Sequence, residues 1–72
     1  MKGYIFESED GSFLSKDFFW FPHEKAEDAW VHPADELKGI LSISKAFEVR
    51  PAFYIEADYS PGCTILGEKT RI

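Results

Sequence analysis

The chain has 72 residues, of which 44% are hydrophobic and 17% aromatic. This composition excludes intrinsic disorder, and the length excludes a second domain. Residues 1–72 are therefore expected to form one domain. Eight basic and thirteen acidic residues give a net charge of −5, which excludes generic, direct binding to a nucleic-acid backbone, since like charges repel. Nine of the acids precede position 37, so a partner of this half is expected to be basic.

A hairpin is the first predicted element. Residues 3–8 are partly β-branched and aromatic, which favours a strand. Asp10-Gly11 follows, a pair that tolerates the positive φ angles of a tight hairpin turn. The returning strand begins at Phe13, and Lys16-Asp17 marks a kink or a second turn. The first two strands are therefore expected to pair antiparallel.

The returning strand ends in four consecutive aromatic residues, 18–21. Neighbouring side chains of a strand point to opposite faces, so Phe19 and Phe21 share one face and the other two rings share the opposite face. One face of a small sheet cannot hide all four rings. The polar stretch 23–28 is then expected to form a loop or a single helical turn that returns residues 29–31 to the core.

One helix is predicted after this loop. Pro33 suits the first helical position, and Asp35 and Glu36 lie in the first turn, where the helix dipole favours negative charge. Apolar or small residues then recur at steps of three and four, which gives one stripe for packing on a sheet. The stripe consists of Leu37, Ile40, Leu41, Ser44 and Phe47. Pro51 cannot continue the helix.

The C-terminal part predicts a second hairpin. Residues 53–59 alternate between apolar and polar side chains, as in a half-buried strand. Ser60-Pro61-Gly62 is a turn, and a last strand runs from Cys63 to about Glu68. The order β-β-α-β-β predicts an α+β domain in which a four-stranded antiparallel sheet carries one helix packed on one face.

The first half of the chain carries a pattern of glycine, aromatic and alanine positions. Residues 3–15 read G-Y-I-F-x-S-x-D-G-S-F-L-S, and A-x-x-A-W follows at 26–30 before an acidic helix start. This pattern resembles small bacterial and phage domains of unknown function in which a β-hairpin leads to a helix. The resemblance covers residues 3 to about 41. It implies the hairpin and the helix, and it assigns no activity and no functional residue.

Cysteine content and hydropathy predict the compartment. The single cysteine, Cys63, cannot form an intramolecular disulfide, which favours a reducing cytoplasm. The N-terminal apolar run is too short for a signal peptide, and no segment approaches the roughly 20 apolar residues that span a membrane. We therefore expect a soluble, cytoplasmic protein. Because the core of such a short chain is marginal, a homodimer is also expected as one possible state.

Several chemically active side chains are present, but their spacing favours structural roles. His23 and His32 lie among carboxylates nine positions apart, which matches no zinc or iron motif, so no metal is expected. Cys63 belongs to no catalytic motif and is expected to be a small buried side chain. Glu56 and Asp58 share a strand face and are expected to be solvated. No glycine-rich loop opens the helix, so we expect neither a nucleotide cofactor nor an enzyme.

The excess of aromatic residues is the feature that points to a function. Exposed aromatic clusters mark protein interfaces, whereas a buried belt of rings is the structural alternative. The sequence predicts a non-enzymatic protein-interaction module, open to self-association, with Phe19, Phe21 and Tyr54 at the interface and a protein partner that the residues do not identify. The alternative function is an acidic inhibitor, of phage type or regulatory, that mimics the charge of nucleic acid and blocks a basic site on a host protein.

Overall fold

Two neighbouring strands form the centre of the sheet in the computed structural model, which describes all 72 residues. β1 (Lys2–Ser8) and β5 (Pro51–Ser60) pair antiparallel along the whole of β1, with Ile5 opposite Ile55. β6 (Cys63–Arg71) returns from β5 as a hairpin and forms one edge of the sheet. β1 is central because it has apolar side chains on both faces of the sheet, and both sets are buried away from water.

Three short strands complete the sheet on the other side of β1. β2 (Ser12–Leu14) pairs with the C-terminal end of β1 and also with β3 (Trp20–Pro22). β4 (His32–Pro33) pairs with the N-terminal end of β1, where Gly3 lies opposite Pro33. The strand order is β3-β2-β1-β5-β6, with β4 beside β1. Strands hold 47% of the residues, so the sheet dominates the fold.

The α-helix is short. A 3-10 turn (Ala34–Glu36) leads into α1 (Leu37–Ser42). The Ser42 hydroxyl donates to the Lys38 carbonyl at 2.8 Å, a side-chain bond that competes with the helix, and the chain leaves helical geometry at Ile43, where ψ is 7°. Two further 3-10 turns span Ala26–Asp28 and Ser44–Ala46. None of these helices has the length and apolar character needed to cross a membrane.

The predicted four-stranded sheet with one packed helix is therefore wrong. The predicted second strand is two strands, β2 and β3, because the chain reverses at residues 15–19. Of the two alternatives predicted at Lys16-Asp17, a kink or a second turn, the turn is the one that forms. Pro33 lies in β4 and precedes the 3-10 turn Ala34–Glu36 instead of opening a long helix. The two predicted hairpin turns are confirmed, since Gly11 and Gly62 adopt φ angles of 87° and 83° that glycine tolerates best.

Both faces of the sheet carry a small core. On the face that we call the loop face, Ala29 and Val31 from the loop before β4 cover Ile5 and its neighbours. On the opposite face, the helix face, α1 places Ile40 against Phe6. The remaining buried residues of these two clusters are Phe13, Ile55 and Ala57 on the loop face and Leu14 on the helix face. The loop before β4 thus covers much of the sheet face opposite the helix. The prediction had only the helix packed on the sheet, on one face.

The carboxylate of Asp10 stabilises the first hairpin turn. It accepts hydrogen bonds from the Ser8 hydroxyl and, at 3.1 Å, from the Ser12 backbone N–H. These hydrogen bonds, the one from Ser8 foremost, lower the pKa of Asp10 below its ordinary value. A carboxyl whose pKa is lowered by folding contributes stability above the pKa of the unfolded chain, and that contribution is lost as the pH falls through the folded-state pKa.

We expect Asp10→Asn to lower the free energy of unfolding at neutral pH, and the difference from the wild type to disappear as the pH falls below the titration range of Asp10. Urea unfolding at a series of pH values measures this difference. Asp17→Asn is the control, since it removes an equal charge from an exposed carboxylate that forms no ion pair and lies outside the helical turns. A destabilisation by Asp10→Asn that is independent of pH would contradict the charge-assisted turn.

Candidate functional site

The three aromatic residues predicted at the interface lie in two different places. Phe19 is 64% exposed and Phe21 is 50% exposed, both at the hairpin of β2 and β3. Phe21 lies opposite Phe13 and therefore on the loop face. Tyr54 belongs to the helix-face core, where its ring packs edge-on against Tyr4 with 5.5 Å between the ring centroids. Phe19 and Phe21 therefore remain candidates for one surface, and Tyr54 lies apart from them.

The turn between β2 and β3 holds Phe18 in a left-handed conformation with φ at 64°. The Ser15 N–H donates to the Phe19 carbonyl at 2.8 Å and closes the turn. The Phe18 ring stacks on His32 at 5.7 Å and lies 6.3 Å from the Phe47 ring. These contacts hold a backbone conformation that a residue other than glycine seldom adopts. Phe18 therefore lies on the helix face and Phe21 on the loop face, as predicted, although contacts of the turn rather than strand alternation place Phe18 there.

A groove of about 660 Å³ lies on the loop face between β3, the loop before β4 and the end of β5. Its aromatic walls are Phe21, Trp30 and Tyr59, of which Trp30 is 44% and Tyr59 45% exposed. We call it the aromatic groove. Its walls come from distant parts of the chain, so only folding brings the rings together. Concave apolar surfaces with a few polar groups are where proteins bind ligands and partner side chains.

Trp30 is the aromatic residue of the groove whose position is predicted wrongly from the sequence. Residues 29–31 are predicted to return to the core together, and the structure buries Ala29 and Val31 but leaves Trp30 exposed. Ala29 is extended, so successive side chains point to opposite sides. The sequence carries a hint of this arrangement. Trp30 lies between two small apolar residues, and in an extended segment its ring points away from both.

Two carboxylates stand beside the aromatic groove. Glu27 and Asp28 line it from the first 3-10 turn, and neither forms an ion pair. Lys16 also lines the groove, and its Nζ lies 5.6 Å from the centroid of the Trp30 ring, a cation–π contact. The groove therefore combines aromatic walls, two unpaired acids and one cation already seated on a ring.

The N-terminal ammonium is the other positive charge at this groove. It belongs to Met1 and donates to the Tyr59 carbonyl at 2.6 Å and to the Asp58 carboxylate at 3.3 Å. Its charge is therefore matched within the chain. Because this contact fixes Met1 beside Tyr59, it also positions one wall of the aromatic groove.

The residues considered for metal binding and catalysis do not gather into a metal site. His23 is exposed near the Phe13 ring, and Cys63 is exposed at the start of β6, so the expectation of a buried thiol is wrong because the turn before β6 lies at the surface. Glu56 and Asp58 are exposed on β5 and line a smaller groove of about 340 Å³. No three His, Cys, Asp or Glu side chains are arranged to hold a metal ion.

His32 has a structural environment. Its ring is buried, with Nε2 3.3 Å from the Leu14 carbonyl and Nδ1 3.2 Å from a Glu36 carboxylate oxygen. The Phe6 ring packs edge-on against it at 5.4 Å. Because a protein oxygen lies beside each nitrogen of this buried ring, His32 connects β2, β4 and the turn before α1, and neither nitrogen is open to a ligand.

No family model, no curated protein and no solved structure matches this chain. The resemblance of residues 3–41 to small bacterial and phage domains therefore stays a prediction.

Proposed function

We propose that the chain is a non-enzymatic protein-interaction module that binds a partner polypeptide through the aromatic groove and the adjoining Phe19. The observation that carries this proposal is the partial exposure of Phe21, Trp30 and Tyr59 around one groove. A few aromatic residues supply most of the binding energy of many protein interfaces, because their large surfaces leave water on binding. An 8.3 kDa domain gains from covering such a surface.

The charge near the groove supports a basic partner. Glu27 and Asp28 line the groove, Asp17 and Glu24 lie in neighbouring exposed segments, and none of the four forms an ion pair. Carboxylates that lack a cation within the chain attract a positively charged surface and raise its association rate. A polypeptide with basic residues beside apolar ones complements both features of the groove.

Phe21→Glu is expected to weaken partner binding by about tenfold or more, because it places a charge among the rings that the partner would desolvate. Tagged wild type and variant are used to recover partners from the cells that make the protein, and each recovered partner is then purified and its dissociation constant measured. Ile43→Glu is the matched control, since Ile43 is 51% exposed but follows α1, outside the groove.

The outcomes distinguish binding of a partner protein from self-association of the chain. A purified partner that binds the wild type and Ile43→Glu equally, and Phe21→Glu weakly, supports the proposal. Equal binding by all three proteins contradicts it. Light scattering at several concentrations reads the oligomeric state, and a dimer that Phe21→Glu dissociates assigns the groove to self-association, the homodimer that the sequence predicts.

An acidic inhibitor is the second candidate function. The observation that favours it is a run of exposed acids without Lys or Arg partners. These are Asp17, Glu24, Glu27, Asp28 and Asp35. Such a surface resembles the charge of a nucleic-acid backbone and suits a basic site on a host protein. A purified partner that loses this chain when duplex DNA is added favours the inhibitor, and a partner indifferent to DNA favours the interaction module.

The cytoplasm is the proposed compartment. Cys63 is exposed and has no second cysteine to pair with. A free surface thiol persists where glutathione and thioredoxin keep thiols reduced, and it is a liability in an oxidising compartment. Cell fractionation with an antibody to the chain, read alongside markers for each compartment, tests the assignment.

A further inference from the structure

The aromatic groove has the composition of a site for organic cations. The faces of aromatic rings carry partial negative charge and attract ammonium groups within about 6 Å of the ring centroid. Phe21, Trp30 and Tyr59 present such rings, and none of the aromatic pairs in the fold joins two of them, so their faces are not used up by stacking on each other.

Lys16 indicates which cation the groove holds. Its Nζ already lies 5.6 Å from the Trp30 ring, so one alkylammonium group of the chain itself occupies part of the groove. Lys16 is exposed and forms no ion pair, so little holds it there beyond the ring. An internal group of this kind can be displaced by a similar group from a partner that makes additional contacts.

Glu27 and Asp28 give the side chains of the groove a net negative charge. These side chains carry one positive charge, on Lys16, and two negative charges, and the ammonium of Met1, which also lines the groove, is paired with Asp58 outside the lining. His23, the remaining titratable side chain of the lining, is exposed. An anionic ligand is therefore disfavoured, and a cation is attracted by both the carboxylates and the rings.

We propose that the aromatic groove binds the side chain of a lysine on the partner polypeptide, with its ammonium group against Trp30 in the place of Lys16 and near Glu27 and Asp28. This inference rests on the proposed function and names the chemistry that its groove recognises. It explains why unpaired acids and exposed rings lie in one groove, since each alone is a weak site for an ammonium group.

The test titrates the protein with N-acetyl-lysine methylamide and follows the indole N–H signals of both tryptophans by NMR. The signal of Trp30 is expected to shift, and that of Trp20, whose indole donates to the Val49 carbonyl at 2.9 Å, is expected to stay. N-acetyl-norleucine methylamide, which lacks the ammonium group, is expected to leave both signals unchanged. Equal shifts with the two compounds overturn cation recognition and leave the interaction module standing.

A single amino acid binds weakly, so variants are compared with the wild type in the same titration with N-acetyl-lysine methylamide. Lys16→Met removes the competing ammonium and is expected to tighten binding about two- to fivefold. Lys45→Met, which removes an equal charge from an exposed 3-10 turn, controls for net charge and is expected to change binding less. Trp30→Leu is expected to abolish binding, read from the backbone amide signals of residues 27 to 31 because the indole reporter is gone, with circular dichroism to verify its fold. Unchanged or weaker binding by Lys16→Met overturns the inference, whatever the partner assay of Phe21→Glu shows.

Discussion

Gly3→Ala is expected to destabilise the fold by about 3 kcal/mol, because β1 and β4 approach each other too closely at Gly3 for any side chain. A β-carbon at Gly3 would overlap the His32 carbonyl oxygen and lie 2.8 Å from Cγ1 of Val31. The His32 carbonyl belongs to the backbone of β4, which pairs with β1 at this point, so it cannot move without disturbing that pairing. Relief of the overlap requires β4 to shift away from β1.

Urea unfolding, followed by tryptophan fluorescence, measures the loss for Gly3→Ala. Gly39→Ala is the matched control, because a β-carbon at Gly39 meets no atom within 4 Å and the position lies inside α1. Alanine there is expected to stabilise the fold by up to about 1 kcal/mol. If Gly3→Ala unfolds within about 0.5 kcal/mol of the wild type, the close pairing of β1 with β4 is absent in solution.

Local signals in the sequence predict the two hairpin turns and the strands next to them. Asp10-Gly11 and Ser60-Pro61-Gly62 need only the conformational preferences of their own residues, and both turns form where expected. The apolar stripe of the helix is also present as a face, since Ile40 is buried while Lys38 and Ser42 are exposed. These features depend on residues within a few positions of one another, which is why composition and spacing predict them.

The errors concern contacts between distant residues. β4 exists because His32 and Pro33 meet β1, and no local preference marks two residues as a strand. The predicted helix extends too far because its apolar stripe continues to Phe47. The observed chain leaves α-helical geometry at Ile43 and continues as a 3-10 turn. Periodicity detects which side chains face the core, but it does not distinguish an α-helix from a series of 3-10 turns.

The candidate site was predictable only in part. Exposure of Phe19 and Phe21 agrees with the expectation that one face cannot hide the aromatic run. Tyr54 lies elsewhere because the pairing of β5 with β1 puts it beside Tyr4 on the helix face. Trp30 and Tyr59 complete the aromatic groove through tertiary contacts, which a linear pattern does not report.

Phe6→Ala is expected to cost about 3–5 kcal/mol, the range for a large aromatic side chain deleted from a core. Phe6 is fully buried at the centre of the helix face, where it packs with Leu14 of β2 and Ile40 of α1 and lies edge-on to His32 of β4. Its ring therefore joins four elements of the fold, and alanine leaves a cavity that none of them can fill alone.

The expected loss for Phe6→Ala is comparable to the whole stability of many small domains, so the variant should be partly unfolded without denaturant. Circular dichroism and urea unfolding measure the effect, and Ile65→Ala, at a side chain that is 65% exposed on β6, is the control with an expected change within about 0.5 kcal/mol. Phe6→Leu is expected to recover much of the loss, because it refills most of the cavity with apolar volume. If Phe6→Ala and Ile65→Ala unfold at the same urea concentration, Phe6 is not in the core, and the packing of α1 on the sheet is wrong.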